Sequence, residues 1–287
     1  MTSCHFTPYH FTPGDGPLLV SMPHVGTRLD PGIAGNLTEA GRAIMDTDWD
    51  VDRLYNFLED IGASILIANY SRYVIDLNRP GDGESLYPGQ SETGLCPTTS
   101  FAGEPIYRTG YSPDATEISR RKEIYWQPYH DKIRAELHRI RDKFGYAMLW
   151  DAHSIKARVP RFFDGRLPDL NLGTGGGISC DRALAERLYA IAGKSGFSAV
   201  LDGRFTGGYI TRHYGNPAQN IHAAQLELSQ STYMAGSHFS RDRANRLRPV
   251  LRDMLDCLAG YIEKSVEKDE QNPHRHQKTD QQEPDSE

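Results

Sequence analysis

No CxxC pair, HExxH helix or GxSxG elbow occurs anywhere in this sequence of 287 residues, and no apolar run comes near membrane-spanning length. Each absence closes a route. The four cysteines, Cys4, Cys96, Cys180 and Cys257, lie far apart, which fits reduced thiols in a cytoplasmic protein better than a disulfide framework or a structural zinc knuckle. "ASILIA" and "YAMLW" are far short of the roughly 20 residues a membrane helix requires, and the N-terminus lacks a basic start followed by an apolar stretch. A net charge of -6 and a pI near 6.0 leave no basic field for a phosphate backbone, so neither nucleic acid nor membrane is an expected partner.

What is present suits a globular enzyme. With 38% hydrophobic and 24% charged residues the chain can bury a sizeable core. Composition changes only near the end. After about Lys264 the sequence is polar and charged, which predicts a single domain over residues 1–265 and a disordered polar tail over 266–287. His274 and His276 fall in that tail and read as solvated residues.

Short apolar runs alternate with amphipathic ones. "PLLVSMPH", "ASILIANY", "YVIDLN", "YAMLWDAH", "SAVLD" and "HAAQLEL" have strand length. Helical spacing appears in "DWDVDRLYNFLEDIG", ending at Gly62, then from Ser119 to Phe144 with Ile133, Leu137 and Ile140 on one face. Further helices are expected after Asp181, as a possible N-cap, and from about Ser240 to Lys264. Strands alternating with helices predict an α/β domain on a largely parallel or mixed sheet.

In such sheets ligands bind at the carboxyl ends of strands, and several of these strands end in polar chemistry. "LLVSMPH" ends on His24, "YAMLWDAH" carries Asp151 and His153 on one side, "YVIDLN" ends on Asp76 and Asn78 with Arg79 following, and "HAAQLEL" holds Glu227 in an apolar run. Two imidazoles with a carboxylate suit a catalytic zinc site, which takes three protein ligands and leaves a position for water. Glu227, in a buried strand, has its charge disfavoured and fits a general base. Spacing alone leaves Glu39, Asp46, Asp48 and Asp50 open as third ligand.

"SMPHVGTR", "DTDWDVDRLY", "SRYVIDLNRP", "LYPG", "WDAHSI", "FDGRLPDLNLGT", "GRFTGGYITRHYG" and "QLELSQSTYM", in order from about Tyr9 to Met234, resemble the N-formylglutamate amidohydrolase family. The resemblance implies a fold similar to zinc carboxypeptidases, a three-layer architecture with a central mixed sheet flanked by helices. It also implies zinc-dependent hydrolysis of N-formyl-L-glutamate to formate and L-glutamate, a step of histidine degradation. Carried over by motif, His24 of "PHVG" and His153 of "DAHS" are implied ligands of one zinc ion per chain. Asp48 of "DTDW" completes the set, with Asp46 as runner-up, and Glu227 of "QLEL" promotes attack by water.

Such a substrate is a small acidic N-acyl amino acid with two carboxylates, so its pocket needs cations, and arginine forks meet carboxylates in bidentate fashion. Arg79 and Arg212 are expected at the substrate or oxyanion, with Asn78, His213 and Asn171 lining the pocket. Arg72 is as readily a structural ion pair, and Asp151 a residue that holds a ring or loop. The set of other metals, the choice among related substrates such as N-formylaspartate, and the oligomeric state are left open by the sequence.

Three other readings compete. "LNLGTGGGISCDRALAERL", with Asp202 about 25 residues on, resembles a dinucleotide-binding turn but lacks the third glycine at its proper spacing. Ser154 beside His153 suggests a serine hydrolase, yet neighbours on an extended segment face opposite ways. A non-catalytic binder of acidic amino acids on the same fold would not need Glu227.

Overall fold

In the computed structural model, which describes residues 7–270 apart from 87, 88 and 90, with side chains described through Gly260, most of the apolar runs are strands. They are β1 (Tyr9–Thr12), β2 (Leu18–Met22), β3 (Ser64–Ala68), β4 (Ala147–Ile155), β5 (Leu170–Gly173), β6 (Ala199–Leu201) and β7 (Ile221–Ser229), with a small hairpin of β8 (Met234–Ala235) and β9 (His238–Phe239). The helices are α1 (Pro31–Ala34), α2 (Glu39–Arg42), α3 (Val51–Leu54), α4 (Ala115–Arg121), α5 (Gln127–Phe144), α6 (Arg182–Lys194), α7 (Tyr209–Tyr214) and α8 (Arg241–Glu270).

Seven strands join in the order β1-β3-β2-β4-β7-β5-β6. The pairs β3/β2, β2/β4, β4/β7 and β5/β6 are parallel, whereas β1/β3 and β5/β7 are antiparallel. This is the expected central mixed sheet flanked by helices. The chain leaves β2 for β3 on one side and crosses to β4 on the other, so a crevice opens between the carboxyl ends of β2 and β4.

Strand alternation divides the core into two layers. Met148 and Trp150 of β4 and Leu226 of β7 pack with Leu188 of α6 and Leu251 of α8. On the other face Leu149 and Ala223 pack with Ile133, Leu137 and Ile140 of α5 and with Ile210 of α7. The apolar stripe on α5 is therefore its buried face. The helix stops at Gly145, whose φ of 78° suits glycine.

The long helix expected from Ser119 begins earlier and is interrupted. Asp114 caps α4 by accepting from the N–H of Glu117, and a π-helical turn at Lys122–Trp126 joins it to α5, where Pro128 has no N–H to continue the ladder. The helix of "DWDVDRLYNFLEDIG" is also broken, into α3 and a 3-10 turn at Glu59–Ile61 that ends on Gly62 with φ of 67°.

"YVIDLN" is not a strand. Its residues are buried, but their backbone groups find loop partners, as in Asp76 N–H to the Leu95 carbonyl and Tyr209 N–H to the Asn78 carbonyl. Helix α8 continues past Lys264 to Glu270. The remainder of the expected tail, with His274 and His276, lies outside the described residues, as do Tyr87 and Pro88 of "LYPG".

The glycine-rich loop has a structural explanation. Gly175, Gly176 and Gly177 have φ of 65°, 72° and 90°, which favours glycine at each. Asp202, the acidic residue of the dinucleotide-turn reading, accepts from the N–H of Thr174, at 2.7 Å, and from its hydroxyl.

Candidate functional site

His24 lies two residues beyond β2 and His153 lies within β4, the neighbouring strand. Both are nearly fully buried. Asp48 reaches the same point from the segment before α3, where its N–H is bonded to the His24 carbonyl at 3.0 Å. Asp48 Oδ2 lies 3.1 Å from His153 Nδ1 and 3.8 Å from His24 Nδ1. It also accepts from the N–H of Ser154.

The outer nitrogen of each ring is held by another carboxylate. His24 Nε2 is 2.8 Å from Asp76 Oδ1, and His153 Nε2 is 3.0 Å from Asp151 Oδ2. Such partners fix ring orientation and turn each Nδ1 toward Asp48. His24, Asp48 and His153 offer ligand atoms all within 4.8 Å of one another. Two imidazoles and one carboxylate, buried together with their outer nitrogens engaged, have the chemistry that a divalent metal requires.

The other carboxylates considered for third ligand are engaged or distant. Asp46 accepts from the Tyr73 hydroxyl at 2.6 Å and the Phe101 N–H at 2.7 Å. Asp50 pairs with Arg53, and Glu39 is an exposed residue in the first turn of α2.

Electrostatics follow from this crowding. Burial, then the Arg72 charge, lowers the His24 pKa to about 4, so the ring is neutral, with Nε2–H donated to Asp76 and Nδ1 accepting from Arg72. Burial pushes Asp48 up, but the hydrogen bond from His153 and the charge of Arg72 outweigh it and hold the carboxyl below its usual range. His153 is opposed by burial too, yet Asp151 and Asp48 on either side raise it well above the ordinary imidazole value.

Glu227 sits directly opposite His153 in the β4/β7 register. It is 8% exposed, and its carboxyl makes no hydrogen bond among the described residues. Burial is the main cause that pushes its pKa up to about 8; His153 pulls it down and Asp48 pushes it further up. A carboxyl poised near neutrality can both take and return a proton.

These groups line one cavity of about 70 Å³, together with Arg72, Asn78, Arg79, Gln225 and an apolar rim that includes Phe101, Phe162 and Phe205. Asn78 donates from its amide nitrogen to Asp151 at 3.2 Å, beside the His153 ring, and its Oδ1 accepts the Ile210 N–H at the start of α7. Arg79 lines the cavity while its donors hold the Thr93 carbonyl and hydroxyl and the Asn78 carbonyl. Arg72, for which the sequence leaves a structural and a substrate role about even, lines the cavity over the Phe101 ring, and its buried Nε has no partner among the described residues.

The remaining expected pocket residues lie elsewhere. Arg212 of α7 donates to the Leu86 carbonyl and the Thr206 hydroxyl, and His213 stacks on Tyr209 at 4.7 Å. Neither lines the cavity. Asn171 pairs with Glu227 across β5/β7 and donates to its backbone carbonyl, supporting the strand behind the site. Ser154 Oγ accepts from Tyr233 at 2.7 Å, on the other side of the strand from His153, so the pair is not a nucleophile and its base. Gln225 was not legible as a site residue; its spacing of two from Glu227 within a strand was the available signal.

A family model described as N-formylglutamate amidohydrolase matches residues 16–234. N-formylglutamate deformylases of Pseudomonas aeruginosa and Pseudomonas putida are 54% and 51% identical over 255 residues, spanning 88% of this chain and 96% and 95% of theirs. The crystal structure of an N-formylglutamate amidohydrolase from Ralstonia eutropha JMP134 superposes with a TM-score of 0.78 at 22% identity, covering 91% of this chain and 100% of that one. A gene product of Agrobacterium tumefaciens has a TM-score of 0.69 at 16% identity, over 89% and 96% of the two chains. The latter two show the same fold.

Proposed function

Because the chain belongs to the N-formylglutamate amidohydrolase family, we propose that it hydrolyses N-formyl-L-glutamate to formate and L-glutamate in the cavity between β2, β4 and β7. The observation that carries this reading is the placement of Glu227 opposite His153, beside the only cluster of metal-ligating side chains among the described residues.

His24, Asp48 and His153 would hold a zinc ion. Bound there, zinc supplies a Lewis acid for the formyl oxygen and lowers the pKa of water toward about 7. Asp76 and Asp151 keep the two rings in place. Glu227 takes a proton from the attacking water as its oxygen bonds to the formyl carbon. When the C–N bond breaks, the protonated Glu227 gives that proton to the departing amine of glutamate. Arg72 and Arg79, the latter fixed to the Thr93 loop, line the cavity and bring positive charge to it. Both favour a doubly anionic substrate and the oxyanion that forms. The Phe101, Phe162 and Phe205 rim limits access by bulk water.

Arg212 and His213 contribute through α7, whose start is bonded to Asn78. The buried thiols of Cys96 and Cys180 are free, which fits a cytoplasmic setting. No helix among the described residues is long and apolar enough to cross a membrane.

The test is L-glutamate release from N-formyl-L-glutamate by purified protein, before and after chelation and zinc restoration. Activity lost and regained with the metal is the expected result. Turnover that survives complete metal removal, or none in a folded, zinc-loaded sample, defeats the proposal.

A further inference from the structure

Building on the proposed hydrolysis, we infer that Gln225 is a specificity-determining residue whose amide donates to the side-chain carboxylate of the substrate. Gln225 lies on β7, two residues before Glu227 and on the same face. It is 3% exposed and lines the cavity. Its amide orientation is set by chemistry, because the Gly208 N–H reaches it at 2.7 Å and only the carbonyl oxygen can accept. Its Nε2 has no partner among the described residues. Two N–H groups fixed in direction on a residue that lines the cavity, and not occupied by a protein acceptor, point to a ligand that accepts.

The spacing selects the acceptor. Two residues along a strand place Gln225 about 7 Å from Glu227, where the formyl carbon reacts. In N-formylglutamate the side-chain carboxyl carbon is five bonds from the formyl carbon and the α-carboxyl carbon only three. The longer arm matches the depth of Gln225. Asp151 lies opposite Gln225 in the β4/β7 register and Glu227 two residues on, so a neutral amide here adds a donor without another acidic group.

Steady-state kinetics of the full-length, zinc-loaded protein on N-formyl-L-glutamate and N-formyl-L-glutamine test the assignment. Gln225→Glu keeps an acceptor for the Gly208 N–H, so the support of α7 is retained, but presents an acceptor in place of the donor. KM for N-formyl-L-glutamate is expected to rise about tenfold or more with kcat within about threefold. KM for N-formyl-L-glutamine, whose amide can donate, is expected to hold or fall. An equal change on both substrates, or no change on either, overturns the role of Gln225. If Gln225→Glu does not fold, as judged by its melting curve, Gln225→Met removes the donors without adding charge and must show the same selective loss. A wild-type protein inactive on N-formyl-L-glutamate defeats the hydrolysis reading and this one with it; an active wild type with kinetically silent variants defeats this one alone.

Discussion

Glu227 combines a buried carboxyl raised to about 8 with an open face toward the cavity. Glu227→Gln preserves size and hydrogen bonding while removing proton exchange. The expected fall in kcat is about a hundredfold or more, with metal content by atomic absorption unchanged; near-normal turnover would remove the base assignment. His153→Ala is expected to lose both metal and activity in the same pair of assays. His130 gives a prediction for stability instead of catalysis. Wholly buried between the Leu77 carbonyl and the Tyr214 hydroxyl, it has its pKa lowered to about 3, chiefly by burial. The unfolded chain takes up a proton near pH 6.5 that the native ring refuses, so stability falls as pH drops below that value. Between pH 7 and 5 the loss from this residue is about 2 kcal/mol. Denaturant titrations of wild type and His130→Gln should show a shallower pH slope in the variant.

At the same scale, legibility depended on where a side chain sat relative to a strand end. His24 and His153 could be located because an apolar run that stops on an imidazole stands out. Arg72 could not be ranked from sequence, because it lies in an irregular segment where no period tells which way it faces. Arg212 and His213 sit within a matching motif, yet a short helix turns them toward Thr206 and Tyr209.

Among the elements, the turn after β2 is the most constrained. A Cβ on Gly26 would lie 2.3 Å from the Tyr70 carbonyl oxygen, with the Tyr70 backbone nitrogen and carbonyl carbon at 2.7 Å. This close approach is what brings the His24 segment against the chain that carries Arg72 and Asp76. Gly26→Ala is therefore expected to cost about 1–3 kcal/mol and to weaken metal binding, because it displaces His24 from Asp76. Equilibrium unfolding and zinc titration measure the two effects, and a variant indistinguishable in both would contradict the packing account. "YVIDLN" marks the limit of pattern reading at this level. Its length and apolar content are those of a strand, but burial alone does not provide a neighbouring strand to pair with, and its N–H groups found loop carbonyls instead.

For the molecule as a whole, the α/β class and mixed sheet were readable because they depend on repeated local alternation. The strand order was not, since it rests on pairings between residues 74 and 130 positions apart. A metal held only by the folded chain adds stability by mass action. Zinc at a hundred times its dissociation constant should contribute about 2.7 kcal/mol, so chelation is expected to lower Tm by several degrees, about 5–10 °C at this chain length. Identical melting curves with and without chelator would show that the site contributes nothing to the fold.

The sheet order also has a consequence for synthesis. β2 and β4 are neighbours, so a chain emerging from the ribosome has His24, Asp48 and His153 in hand once β4 is complete. β7 is the last long strand to emerge, yet it belongs in the middle, between β4 and the earlier β5. The nascent protein can thus assemble its ligand cluster while β5 and β6 still wait for the strand that joins them to the sheet. Closure through such distant pairings is slow, and Glu227 arrives on the closing strand, so the proton transfer proposed for it is withheld until the last long piece of the sheet is inserted.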